Sequence, residues 1–192
     1  MFIETETTPN PAALKFLPGQ TVMAAGSREF ASPEAAEASP LAAAIFDTGE
    51  VVNVFFGADF VSVTAAPGAD WGALKPQVIA ILLDHFVSEA PLFAAPSGNG
   101  IAVPPEDGAV VEERPEDAEV IAAINELLET RVRPAVAGDG GDIAYRGYRD
   151  GVVYLTLQGS CSGCPSSTAT LKHGIEGLLK HYVPEVVEVR AA

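Results

Sequence analysis

The chain has 192 residues, of which 48% are hydrophobic and 19% charged, so it has enough apolar material for one or two folded domains. Its formal net charge is -15, and its 11 basic residues form no cluster, which excludes nucleic acid and anionic membrane surfaces as partners. No apolar run approaches the ~20 residues of a membrane span, and two cysteines do not make a disulfide framework.

The first residues, MFIETETTPNP, have neither the basic and apolar regions of a secretory signal nor the arginine-rich, acid-poor composition of a transit sequence. We therefore expect a cytoplasmic protein of bacterial type, or the mature form of a mitochondrial matrix protein from which the targeting segment has been removed. We interpret the net negative charge as a source of solubility. The alternative is that it steers the protein toward a basic partner.

Residues 1–92 are predicted to form a mixed α+β domain with antiparallel strands. Two strand patterns, FIETETT and ALKFL, flank Pro9-Asn10-Pro11, and Ser39-Pro40 predicts the cap and first turn of a short helix. The segment EVVNVFFGADFVSVTA predicts a hairpin that turns at Gly57-Ala58. A helix capped by Asp70 is expected next. Its apolar residues recur at roughly helical spacing: Trp71, Leu74, Val78, Ile81, Leu82, Leu83 and Phe86.

Residues 93–116, FAAPSGNGIAVPPEDGAVVEERPE, separate this domain from the rest of the chain. They are rich in proline, glycine and acidic residues and show no sustained period. This composition predicts an acidic linker.

Residues 117–192 predict the order helix, hairpin, cysteine segment, helix, strand. Apolar residues from Val120 to Val132 fit one helical stripe, which we expect to end at Arg133-Pro134. After the loop VAGDGGDI, the segments AYRGYR and VVYLTLQ flank Asp150-Gly151, a strong hairpin signal. The strand EVVEVR closes the chain. The second helix is expected to bury one face, made of Leu171, Ile175, Leu178, Leu179 and Tyr182. The fold class is therefore α+β: two small domains, each packing β-hairpins against helices, joined by the linker.

Both cysteines, Cys161 and Cys164, lie in the segment GSCSGCPSS. Two buried small hydrophobes are one interpretation, which the flanking glycines, serines and proline disfavour. A thiol-disulfide oxidoreductase is the second, since Pro165 at a first helical position places the pair at a helix N-terminus, where thiol pKa values are lowered. Against it, such a motif is expected after the first strand of a βαβ unit, whereas this pair follows a hairpin and lacks a preceding aromatic residue.

A metal site is the remaining class of interpretation for the two thiols. Structural zinc needs four ligands, and the chain has no second pair at ligand spacing, so zinc would have to bridge a dimer. His173 falls off the apolar stripe of its helix and is predicted to be a surface residue. Iron-sulfur clusters also take four thiolates, which two chains related by a two-fold axis would supply. The ligand count predicts a labile cluster bridging a homodimer, of the kind a protein needs if it hands clusters on.

The residues around the cysteines resemble the Nfu family, which shares the C-terminal domain of NifU. The resemblance rests on the order and spacing of Arg133-Pro134, Asp139-Gly140-Gly141-Asp142, Gly151, Gly159, the run from Cys161 to Ser167, Thr170-Leu171-Lys172, Gly174-Ile175-Glu176 and Pro184-Glu185-Val186. A lone Cys-X-X-Cys pair is weak evidence, whereas the pair with these flanks is highly specific.

The front half is similar to the N-terminal domain of mitochondrial Nfu proteins and their bacterial relatives. The matching residues are Thr8-Pro9-Asn10-Pro11, Leu14-Lys15-Phe16, Ser39-Pro40-Leu41-Ala42, Phe56-Gly57-Ala58-Asp59-Phe60, Ser62-Val63-Thr64, and Trp71 with Leu74-Lys75-Pro76. Ala43, where the family has an arginine, and residues 65–69, an insertion before Trp71, depart from the pattern.

The resemblance implies a cluster scaffold and carrier, and not an enzyme with catalytic residues. It implies that Cys161 and Cys164 bind a [4Fe-4S] cluster, or a [2Fe-2S] cluster, across a homodimer of C-terminal domains and pass it to apo iron-sulfur proteins. Upstream assembly factors would supply the cluster. The segment from Asp139 to Asp142 has two acids and no lysine, so it is no phosphate-binding loop, and both acids are expected to act in turns and caps. The cysteine-free first domain is expected to recognise partners or to stabilise the protein.

Overall fold

The computed structural model describes residues 2–94, 114–160 and 165–191, without the side chains of residues 165–168. Contacts between residues divide the chain into two units, Met1–Val103 and Pro104–Ala192. Each unit combines helices with its own β-sheet that contains antiparallel pairs, so the predicted α+β class is confirmed.

The first unit is built on a five-stranded antiparallel sheet in the order β1-β2-β5-β4-β3. Its strands are β1 (Glu4–Thr7), β2 (Ala13–Leu17), β3 (Arg28–Phe30), β4 (Val51–Phe56) and β5 (Val61–Ala65), and its helices are α1 (Pro33–Ala36), α2 (Pro40–Phe46) and α3 (Trp71–Val87). The predicted hairpin is confirmed: β4 and β5 are adjacent, and the N–H of Gly57 donates to the carbonyl of Phe60 at 2.9 Å.

The predicted helix caps of this unit are also present. Ser39 Oγ accepts a hydrogen bond from the N–H of Ala42 at 3.3 Å, and Asp70 Oδ1 accepts one from Gly72 at 2.8 Å. Each bond satisfies a backbone donor that the first helical turn leaves without a partner. The buried face of α3 is narrower than the predicted stripe. Leu74, Val78 and Leu82 are buried, and Trp71, Ile81, Leu83 and Phe86 pack against the core only partly.

The second unit is built on a three-stranded sheet in the order β6-β7-β8. Its strands are β6 (Gly141–Arg149), β7 (Val152–Gly159) and β8 (Glu188–Ala191), and its helices are α4 (Ala118–Leu127), α5 (Arg133–Gly138) and α6 (Pro165–Tyr182). A 3-10 turn, Pro115–Asp117, precedes α4. Asp150 and Gly151, with φ of 49° and 83°, form the tight turn between β6 and β7, as predicted.

The predicted end of the first helix in this unit is wrong. A π-helical turn, Leu128–Val132, follows α4, and the chain continues into α5 instead of stopping at Arg133-Pro134. Pro134 follows the π-helical turn within this continuous run of helical residues, so it is not at a free helix N-terminus, and it contributes no N–H to the helical hydrogen bonds. The predicted loop VAGDGGDI is correspondingly shorter, because α5 extends to Gly138 and β6 begins at Gly141.

The prediction of the buried face of α6 is confirmed at the centre of the helix and is wrong at its C-terminal end. Ile175 and Leu179 are buried, and Leu171 and Leu178 are partly buried. Tyr182, the last residue of the helix, is 49% exposed, and the guanidinium of Arg131 lies 4.9 Å from its ring centre. Val183, the next residue, is buried in the core.

Candidate functional site

The two predicted cluster ligands, Cys161 and Cys164, lie outside the described residues, so the site is defined here by the segments that flank them. Strand β7 ends at Gly159, and α6, a helix of 18 residues, begins at Pro165. Pro165 is therefore the first helical residue, as predicted. The cysteine pair lies between the end of a central strand and the start of a long helix.

The residue directly before Cys161 is held by the turn between α5 and β6. Ser160 is 2% exposed; its N–H donates to the carbonyl of Gly140 at 3.2 Å, and its Oγ donates to the carbonyl of Asp139. One residue earlier, Gly159 pairs with Gly141 at the end of the β6–β7 ladder. The end of β7 is thus fixed through both its backbone and a side chain.

Glycine is required at two positions of this frame. Gly140 and Gly159 have φ of 82° and 72°, in the left-handed region that residues with a side chain rarely adopt. Asp139 follows the last residue of α5 as its C-cap, and the N–H of Gly140 donates to the carbonyl of Ala137 at 3.1 Å. The glycine-rich segment is therefore a helix end followed by a strand start.

Arg133 connects α5 to β6 beneath this turn. Its Nε donates to Asp142 Oδ1 at 3.0 Å, its Nη2 donates to the carbonyl of Ile143 at 3.3 Å, and Glu129 accepts from its Nη1. Burial by itself lowers the pKa of Arg133, but the carboxylates of Asp142 and Glu129 outweigh burial, so the pKa is raised. Asp142 therefore acts as an ion-pair partner within a strand, whereas Asp139 is a cap as expected.

Sequence reasoning missed the bonds of Ser160 and the Arg133–Asp142 ion pair. Arg133 and Asp142 are nine residues apart, across a helix end and a turn, so no periodic pattern connects them. The position of Ser160, directly before a cysteine and after a glycine, was the available signal for a constrained residue.

Strand β8 changes one argument about the cysteines. It pairs in parallel with β7, with Val153 opposite Val189, so β7, α6 and β8 form a βαβ unit. The pair does follow the first strand of such a unit, and the sequence argument against an oxidoreductase was wrong on this point. Because β7 belongs to both the hairpin and the βαβ unit, the chain order alone could not reveal this.

Histidine and acidic side chains are the other possible metal ligands among the described residues. His173 is exposed on α6, as predicted for a surface residue. In residues 2–94, 114–160 and 165–191, no group of three or more His, Cys, Asp or Glu side chains is placed to hold a metal ion. No helix in the described part of the chain is long and apolar enough to cross a membrane.

Comparison with known proteins gives matches for both halves of the chain. A family model described as "Scaffold protein Nfu/NifU N terminal" matches residues 3–89, and one described as "NifU-like domain" matches residues 124–190. Among solved structures, the chain is similar to a NifU-like protein from Saccharomyces cerevisiae, with 26% identity and a TM-score of 0.45, over 49% of this chain and 85% of that chain.

Two relatives are similar along almost the whole chain. "NifU-like protein 4, mitochondrial" of Arabidopsis thaliana is 50% identical over 188 residues, which cover 97% of this chain but 64% of that protein, so the chain spans less than two thirds of its length. "NFU1 iron-sulfur cluster scaffold homolog, mitochondrial" of Homo sapiens is 48% identical over 187 residues, which cover 97% of this chain and 70% of that protein. With both domains matched in order and the human relative matched over most of its length, the chain belongs to the Nfu family of NifU-like proteins.

Proposed function

We propose that this protein is an iron-sulfur cluster scaffold and carrier, which accepts an assembled cluster and passes it to apo iron-sulfur proteins. The observation that carries the proposal is the Cys161–Cys164 pair in a domain that matches the NifU-like family model. The name of the human relative, an iron-sulfur cluster scaffold homolog, supports the same role. The cluster is the cargo of the protein in this proposal.

The ligand count supports a cluster shared between two chains. Each chain has only two cysteines, and an iron-sulfur cluster takes about four thiolates. We propose a homodimer of C-terminal domains that holds a [4Fe-4S] cluster, with a [2Fe-2S] cluster as the alternative. The N-terminal amides of α6, which begins one residue after Cys164, would help to offset the negative charge of the thiolates.

Transfer in this proposal is ligand exchange. Thiolates of a recipient displace Cys161 and Cys164 in turn, and upstream assembly factors deliver the cluster beforehand. The exchange needs access to the cluster but no general acid or base, so we propose a carrier and not an enzyme.

The domain boundaries are part of the proposal: an N-terminal domain of residues 1–92, a linker of residues 93–116 and a cluster-binding domain of residues 117–192. The first domain has no cysteine, so it cannot supply thiolates. We propose that it recognises recipients and that the linker keeps them near the cluster. The names of both relatives include "mitochondrial", which supports the mitochondrial matrix alternative over the cytoplasmic expectation.

Anaerobic reconstitution of the full chain with iron and sulfide tests the proposal. We expect a brown protein that transfers its cluster to an apo-ferredoxin, and we expect Cys161→Ser and Cys164→Ser to remain colourless. Serine changes the side-chain volume little, and thermal unfolding of each apo-variant shows whether the fold is retained.

Two other results would each replace the proposal. A monomer that reduces disulfides without binding metal would identify the thiol-disulfide oxidoreductase that the βαβ unit keeps open. A colourless dimer whose metal survives air would identify the zinc-bridged alternative.

A further inference from the structure

Ser160 is the last described residue before the cysteine segment. Its hydroxyl donates to the carbonyl of Asp139, and its N–H donates to the carbonyl of Gly140 at 3.2 Å. With 2% of its surface exposed, it makes these bonds away from competing water. Two bonds from one residue, one through its backbone and one through its side chain, fix the position of Ser160.

The two acceptors are themselves held by the fold. Asp139 and Gly140 terminate α5, and their N–H groups donate back to carbonyls of that helix, at 3.2 Å to Ala135 and 3.1 Å to Ala137. Arg133 ties the same helix to β6 through Asp142. Ser160 is therefore attached to a helix end that a separate ion pair keeps in place against the sheet.

Burial alone does not give a serine hydroxyl a hydrogen-bond partner of this kind, as a second buried serine shows. Ser62 is 1% exposed in β5, and its Oγ has no hydrogen-bond partner among the described residues. The Ser160 hydroxyl instead connects residues 21 positions apart in the chain. Its bond joins the end of β7 to the α5–β6 turn at the point where the next residue is a cysteine.

We infer that Ser160 is a positioning residue for the cysteine segment: its two hydrogen bonds hold the backbone at residue 160, to which Cys161 is bonded. This inference rests on the proposed cluster-carrier function. A cluster needs four thiolates at set positions, and a ligand that follows a residue held by the fold has less conformational entropy to lose when the cluster binds. Freeing the backbone at Ser160 therefore weakens cluster binding without removing a ligand.

The test compares Ser160→Ala with Ser62→Ala, a matched control at a buried serine without that bond. In the full chain reconstituted under anaerobic conditions, we expect Ser160→Ala to lose its cluster to an iron chelator about three- to tenfold faster than wild type, the effect of one lost hydrogen bond. The visible circular dichroism of the cluster changes as well, since it reports the geometry of the ligands. Ser62→Ala behaves as wild type, and Ser160→Thr, which keeps the hydroxyl, restores slow loss.

A second variant acts on the acceptor side and leaves Ser160 intact. Asp142→Asn weakens the ion pair with Arg133, and we expect a smaller increase in the rate of cluster loss. If Ser160→Ala does not fold, as judged by thermal unfolding of the apo-protein, this variant carries the test. The inference is overturned if Ser160→Ala loses its cluster at the wild-type rate and its dichroism spectrum is unchanged. Where Ser160→Ala does not fold, the same result in Asp142→Asn overturns it.

A readout on the apo-protein separates this inference from the proposed function. In wild type and in Ser160→Ala, the rate of Cys161 alkylation by iodoacetamide is measured by mass spectrometry of the peptide. We expect the rate to change at Cys161 more than at Cys164. If wild type binds no cluster, the proposed function is wrong, whatever the alkylation rates are. If Cys161 is alkylated at equal rates in wild type and in Ser160→Ala, the positioning role is wrong as well.

Discussion

Gly57 shows how a single residue sets the first hairpin. A Cβ at this position would lie 2.3 Å from Cε1 of Phe60. The Phe60 ring has little room to move, because it is 2% exposed, lies 5.9 Å from the ring of Phe55 and is covered by the ammonium of Lys15 at 4.8 Å. The absence of a side chain at Gly57 lets Phe60 close the turn.

We predict that Gly57→Ala lowers the free energy of unfolding of the first unit by about 1–3 kcal/mol, the usual effect of overpacking a core. Urea titration followed by the fluorescence of Trp71, which lies in that unit, measures the change. The control is Gly57→Ala in a Phe60→Leu background, where the ring that the added Cβ would meet is absent, and the effect of the substitution is expected to be smaller there. An equal effect of Gly57→Ala in the two backgrounds would show that the Phe60 contact is not the cause.

His85 makes the first unit sensitive to pH. It is 8% exposed on the buried face of α3, and burial lowers its pKa below the usual 6.5, an effect that the carboxylate of Asp84 opposes only in part. The unfolded chain therefore takes up this proton at a higher pH than the folded one. Stability contributed by the neutral imidazole is present above pH 6.5 and is lost as the pH falls below it.

We predict that the urea midpoint of the first unit falls between about pH 7.5 and about pH 5.5, and that His85→Gln, which cannot ionise, falls less over the same window. Tryptophan fluorescence at a series of pH values measures both proteins. An identical pH slope in the two proteins would assign the effect to other groups.

At the scale of elements, Glu176 connects α6 to β8. Its Oε2 accepts the N–H of Val189 at 3.1 Å, and its Oε1 accepts from the ammonium of Lys180 at 2.7 Å. The hydrogen bond from Lys180, followed by that from Val189, lowers the pKa of this carboxyl. The charged form thus holds a four-residue strand onto the helix that follows the cysteines.

We predict that this contribution is present above pH 4.5, the usual pKa of a glutamate, and is lost as the pH falls through the lowered value. In Glu176→Gln, we expect the free energy of unfolding of the second unit to fall less steeply below pH 4.5 than in wild type. Urea titrations followed by far-ultraviolet circular dichroism at several pH values measure this. An equally steep fall in the two proteins would contradict this role.

The elements differ in how far the sequence could predict them. Ser39 and Asp70 were recognisable as caps, and Asp150-Gly151 as a hairpin turn, because each signal lies within a few residues of its effect. The parallel direction of β8 depends on its pairing with β7, a distant segment of the chain, which local patterns do not contain. At the site, the cysteine pair was evident, whereas the bonds of Ser160 join residues from separate elements.

At the scale of the whole molecule, we propose that the first unit recognises recipients and the second binds the cluster. The family models match residues 3–89 and 124–190 separately, and both cysteines lie in the second range. If residues 93–116 act as the proposed linker, a recipient bound to the first domain would meet the cluster at a raised local concentration.

We predict that deleting residues 1–92 leaves the iron content of the reconstituted protein unchanged and slows transfer to at least one recipient. Circular dichroism confirms that the remaining chain is folded before transfer is followed. Unchanged transfer rates for every recipient tested would rule out a recognition role for the first domain.

The central claim is that two chains share one cluster through Cys161 and Cys164, and native mass spectrometry of the anaerobically reconstituted protein tests it most directly. The account predicts a dimer that carries about four irons and four sulfides in total, as for one [4Fe-4S] cluster. It also predicts that Cys161→Ser has the mass of the metal-free protein. A monomer that carries its own cluster, or a dimer that keeps its iron in Cys161→Ser, would contradict the account.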